Sequence, residues 1–155
     1  MLRITLLLGL SPFLLSLPAV GQKCTEEFIR TNINNSDPKY AAEDAYFFSG
    51  ALEKPVVGLN TEEWKKTGEK LNQERKNQKV DPLKPDRIVV DPSGDMAYAY
   101  GTRHMSFDKV STGKHVDFSA AFLTVWKVVN GSCKLAASMF EPEGGIELKT
   151  ASATP

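Results

Sequence analysis

The sequence has few of the residue patterns that announce chemistry. It holds two histidines and two cysteines in 155 residues. Neither type falls into a spaced ligand pattern, so no metal centre is expected. No glycine-rich phosphate loop, Gly-x-Ser-x-Gly elbow or catalytic cysteine motif occurs, and no cofactor is implied. An excess of charge of one sign is also lacking: 19 basic residues balance 19 acidic ones. Without a basic block there is no source for the phosphate attraction that nucleic-acid binding needs. No apolar run reaches the roughly 20 residues of a membrane-spanning helix.

What is present begins with an export signal. Met1-Leu2-Arg3 supplies one positive charge, and residues 4–17 (ITLLLGLSPFLLSL) follow uncharged. Pro18 ends that run, and Ala19-Val20-Gly21 gives a small-x-small cleavage pattern. Residues 1–21 therefore read as a signal peptide, Gln22 as the new N-terminus, and the destination as secreted or periplasmic. No span remains after cleavage. Residues 22–141 suit one domain, and 142–155, rich in Pro, Gly, Ser and Thr, read as a loose tail. Cys24 and Cys133 both survive processing. In an oxidising compartment they are a disulfide candidate; the other reading is two separate buried thiols.

Helical patterns come first along the chain. Thr25 is placed to cap residues 26–33, with Glu26 and Glu27 in the first turn. A second short helix is expected over 38–45, where Ala41, Ala42 and Ala45 favour it, and Tyr46 to Ser49 look extended. Asn60 with Glu63 resembles a capping box for a helix over 61–77 that buries Trp64 and Leu71. Gly68, between those two, reads either as a close approach to a neighbour or as a tolerated defect.

The period then changes to two. Strands are expected over 86–91, 96–107, 115–129 and 132–141, with a turn at 92–95 and a loop at 108–114. Asn130-Gly131 is a strong hairpin signal. Counting back from it pairs Val128 with Cys133, Trp126 with Leu135, Thr124 with Ala137 and Phe122 with Met139. These, with Val116, Phe118 and Ala120, form one bulky face. The other carries Ser119, Lys127, Lys134 and Ser138, but also Leu123, Val125 and Phe140. Helices followed by antiparallel strands give an α+β domain.

Three stretches resemble a known family. They are Ala42-Glu-Asp-Ala-Tyr-Phe-Phe with Val57-Gly58 and the capped helix, Ser93-Gly-Asp-Met-Ala-Tyr-Ala-Tyr-Gly101, and Leu123-Thr-Val-Trp-Lys-Val-Val-Asn-Gly131 continuing into Cys133-Lys-Leu-Ala-Ala. Residues 40–141 thus resemble the SnoaL-like domains of the nuclear transport factor 2-like superfamily, which includes the ketosteroid isomerases. The nearest branch is similar to the bacterial domains of unknown function numbered 4440. The chain departs from the family pattern at Cys133, where a tryptophan is usual, and at Ser138, where an acid is usual. The resemblance implies a cone-shaped, curved antiparallel sheet wrapped around N-terminal helices, with a pocket at its open end. It also implies a homodimer through the outer sheet face. The catalytic residues of a ketosteroid isomerase do not transfer onto positions here.

The resemblance and the residues together suggest a binding domain. Tyr46, Trp64, Tyr98, Tyr100, Arg103, Phe118, Phe122 and Met139 are candidates to line a pocket for a small apolar molecule. An isomerase, cyclase or dehydratase is the alternative, with His104 and Asp117 as proton carriers. Strict alternation puts Asp117 on the outer face, so reaching the pocket requires a bulge. A dimerising interaction module is the third reading.

Overall fold

The computed structural model describes residues 21–50, 52 and 54–142. The expected signal peptide, up to residue 20, and the expected tail, beyond 142, lie outside the described residues. Among those described, no helix is long and apolar enough to cross a membrane.

The order is α1 (Glu26–Asn32), a 3-10 turn (Pro38–Tyr40), β1 (Ala41–Ser49), β2 (Val56–Val57), α2 (Glu62–Glu74), β3 (Arg75–Val80), β4 (Lys84–Val90), β5 (Met96–Lys109), β6 (His115–Val129) and β7 (Ser132–Pro142). One sheet runs β2-β1-β7-β6-β5-β3, with β4 also on the β5 edge. All pairs are antiparallel except β1 with β7, which is parallel, so the sheet is mixed rather than antiparallel throughout. Small residues on one side of β5, Ala97, Ala99 and Gly101, let the sheet curl. A Cβ at Gly101 would stand 2.7 Å from the Lys84 carbonyl oxygen, so only glycine lets β4 approach there.

Helix α1 closes the concave side at one end. Thr25 accepts a hydrogen bond from the Phe28 N–H and caps it. Phe28, Ile29 and Ile33 pack on Trp126, Phe122, Ala97 and Ala99. Phe28 meets Trp126 edge-on, centroids 6.1 Å apart. Cys24 and Cys133 are disulfide-bonded in this core, 109 residues apart in sequence. Gln22 N–H donates to the Gly131 carbonyl at 2.6 Å, so the start of the described chain lies on the Asn130-Gly131 hairpin.

Further expectations are corrected. Residues 38–45 form a single 3-10 turn and then strand. Ala45 and Phe47 are buried while Tyr46 and Phe48 are exposed, a period of two that overrides alanine's helix preference once β7 pairs alongside. The cap of α2 is Thr61, not Asn60: its Oγ1 accepts the Trp64 N–H at 3.2 Å. The helix ends at Glu74, because Arg75 turns extended and β3 joins the edge of β5. No atom lies within 4 Å of a Cβ at Gly68, so nothing approaches closely there.

Register is corrected as well. Val128–Cys133 and Trp126–Leu135 pair as counted, but a bulge follows and leaves Ala136 unpaired. Thr124 then faces Ser138, and Phe122 faces Phe140. Every later side chain on β7 changes sides. Met139 is exposed on the convex face, and Phe140 turns to the concave one.

Candidate functional site

Alternation along β5 and β6 sorts their side chains onto two surfaces. Their register is unbroken from Met96–Lys127 to Asp108–His115. Arg103, Met105 and Phe107 of β5 share the concave side with Phe118, Ala120 and Phe122 of β6 and Phe140 of β7. Phe107 meets Phe118 edge-on at 6.3 Å, and Phe122 lies 6.5 Å from Phe140. Phe122 is buried, whereas Met105, Phe107, Phe118 and Phe140 are only part-buried. Met105, Phe107, Phe118 and Phe140 make a part-buried apolar floor.

Two arginines sit on this floor. The Arg103 guanidinium lies over the Phe140 ring at 5.5 Å, and its Nε and Nη2 donate to the Asp81 carbonyl at 3.1 and 2.8 Å. The Arg75 guanidinium lies over Phe107 at 4.5 Å. Burial is the main influence on both and lowers each below the usual guanidinium value, with Asp81 and Glu74 opposing it.

Helix α2 flanks the floor. Trp64 packs on Phe47, centroids 4.7 Å apart. Beside α2 opens a cleft of about 500 Å³ whose walls include Leu52, Val56, Leu71 and Thr67, with Lys54 and Glu63. Lys54 and Glu63 pair across it at 2.7 Å. None of the candidate pocket or catalytic side chains named from the sequence lines this cleft.

The convex side is different. His104 Nε2 lies 2.7 Å from Asp117 Oδ1, and His115 Nδ1 lies 2.7 Å from Asp108 Oδ1. A hydrogen bond from Asn77, then one with His115, holds the Asp108 carboxyl below its ordinary value. The histidines and acids gather at one end of the sheet. With no bulge between β5 and β6, however, they stay on the face away from Phe118. About half of each side chain is exposed in the His104–Asp117 pair, so it is a solvated pair of small worth. Among the described residues, no three His, Cys, Asp or Glu are grouped to hold a metal ion.

Of the side chains expected to line a pocket, Arg103, Phe118 and Phe122 reach the concave side, and Trp64 lies at its edge. Tyr46, Tyr98, Tyr100 and Met139 stand on the convex face, 40–47% exposed. Tyr46 stacks with Phe48, and Tyr98 with Tyr100. Counting by twos from Arg103 finds Met105 and Phe107, which the sequence reading passed over. Nothing in the sequence marked Arg75, because it was assigned to a helix.

No family model matches the sequence, and no curated protein matches it. Solved structures do. A hexachlorocyclohexane dehydrochlorinase, LinA-type3, from Novosphingobium barchaimii is 11% identical over 83% of this chain and 87% of its own, with a TM-score of 0.60. A ketosteroid isomerase-like protein from Erwinia carotovora atroseptica is 14% identical over 74% and 87%, with a TM-score of 0.54. A conserved protein from Planctomyces limnophilus is 16% identical over 75% and 93%, with a TM-score of 0.52. Similarity at these identities establishes the fold and leaves activity to the site itself.

Proposed function

We propose that this chain, whose fold is that of the ketosteroid isomerase-like and nuclear transport factor 2-like proteins, is an exported binding protein. It takes a small, largely apolar molecule on the concave face of its sheet. One observation carries the reading: Met105, Phe107, Phe118 and Phe140 face inward yet remain part-buried, an apolar floor on the concave side. Export is supported by the pattern of residues 1–21 and by the Cys24–Cys133 disulfide, which suits an oxidising compartment. The branch numbered 4440 is proposed on the motifs around Ser93–Gly101 and the final hairpin.

Binding is favoured over proton-transfer catalysis because the His–Asp pairs lie on the opposite face from this floor. A second reading, compatible with the first, is a homodimer through the convex face. Five large side chains, Tyr46, Phe48, Tyr98, Tyr100 and Met139, are 40–47% exposed on it. That is more apolar surface than a solvated face needs.

The test is titration of the purified protein with the neutral fluorescent probe N-phenyl-1-naphthylamine. Saturable binding that weakens about tenfold or more in Phe118→Ala supports the reading, since that change removes a large apolar contact. No saturable binding, or full affinity in the variant, rejects it.

A further inference from the structure

Two part-buried arginines face the concave side, Arg75 and Arg103. Lys23, Arg30, Lys39, Lys54 and Lys65 each pair with a carboxylate, and half or more of each of their side chains is exposed. Arg75 and Arg103 are part-buried, yet among the described residues neither is in a salt bridge. The usual order is the reverse: charge taken from water is the charge that needs a counter-ion. Aromatic faces supply only part of that need.

Arg103 is also held in one orientation. Its Nε and Nη2 both donate to one neutral carbonyl, that of Asp81. A guanidinium has five N–H donors in a planar fork. Two are engaged here, which fixes the plane, while the Asp81 carboxylate offsets the positive charge from beyond salt-bridge distance. Phe107 lies four residues further along β5, so Arg103 and the Arg75–Phe107 pair are roughly 13 Å apart along the strand. Met105 and its β6 partner Phe118 lie between them.

We propose that Arg103 is an anion-binding residue, with Arg75 adding positive potential across the floor, and that the ligand is an amphiphilic carboxylate. Its apolar body lies on Phe118 and Met105, and its carboxylate meets the remaining fork of Arg103. This rests on the concave-face reading above and narrows it to a chemical class. Fork-to-fork pairing with a carboxylate is the strong form of guanidinium hydrogen bonding. Burial lowers the proton affinity of both arginines, which agrees with sites that an anion would complete.

The experiment compares 2-naphthoate with its neutral isostere 2-naphthamide, both titrated calorimetrically into the full processed protein. The naphthoate is expected to bind about tenfold tighter or better. Arg103→Gln is expected to erase that preference, so that the two compounds bind within about twofold of each other. Arg75→Gln should reduce the preference in part, and it serves where the first variant does not fold. If both compounds bind equally to the unaltered protein, the anion subsite is wrong and the apolar reading stands. A preference that survives in both variants also overturns the assignment. If neither compound binds, both readings fall together.

Discussion

His104 and Asp117 touch across β5 and β6 at 2.7 Å, while the residues beside them in the chain, Arg103 and Phe118, turn to the other surface. The alternation separates acid–base groups from the apolar floor by the thickness of the sheet. His104→Gln is therefore expected to leave probe affinity within about twofold, as befits a solvated pair. A loss of about tenfold in the same titration would place the histidine at the ligand.

The convex face gives a prediction about assembly. The unaltered protein should sediment as a dimer. A double variant, Phe48→Arg with Tyr98→Arg, should sediment as a monomer, because it buries two unpaired charges in the contact. Its unfolding free energy should shift by only about 0.5 kcal/mol per site, since both side chains are well exposed in one chain. A monomeric unaltered protein would remove the convex-face reading.

Joining Cys24 to Cys133 closes most of the described chain into one loop. Reduction, or the double change Cys24→Ser with Cys133→Ser, should lower stability by about 2–5 kcal/mol. Urea midpoints with and without dithiothreitol measure this. An unchanged midpoint would mean that the thiols are not bonded in the protein.

Trp126 depends on Thr124. The indole N–H donates to Thr124 Oγ1 at 3.1 Å, and that hydroxyl donates to the Ala99 carbonyl at 3.3 Å, all fully buried. Thr124→Val leaves the indole N–H without a partner and should cost about 1–3 kcal/mol. Thr124→Ser keeps the hydroxyl and should recover most of that loss, which denaturant titration of the two variants will resolve.

Acid should loosen the turn before β5. Asp91 accepts hydrogen bonds from the Ser93 hydroxyl and then the Met96 N–H, and these hold its pKa below the ordinary 3.8. A carboxyl lowered in the folded state stabilises fully above its unfolded value and loses that contribution as pH falls through the folded one. Asp95, through Lys23, is shifted the same way. Stability should thus fall below about pH 4, and Asp91→Asn should flatten that fall relative to the unaltered protein. Equal slopes in urea midpoints across that range would contradict it.

Much of the fold was legible because turns and capping residues act locally. Thr25 caps α1, and Asn130-Gly131 sets the hairpin with both residues at positive φ, as a two-residue loop of this kind requires. The misreadings came from non-local causes. Ala41 to Ala45 are strand only because β7 lies beside them, and the Ala136 bulge is visible only in the paired sheet. The site suffered from that same slip. Met139 was read inward and Phe140 outward, and the order is the opposite. Arg75 carried no signal, because β3 is a polar segment whose exposed pattern shows no alternation.

The parallel contact between β1 and β7 also has a consequence in time. β5, β6 and β7 are joined by short connections and can pair as each is completed. Phe48 lies opposite Met139, so β1, flanked only by the two-residue β2, waits for its second neighbour through the synthesis of nearly every other strand. Until β7 emerges, Tyr46, Phe47 and Phe48 form an aromatic strand open along that edge, the kind of exposed edge that chaperones hold. The first strand made takes its place in the sheet only after the last has arrived.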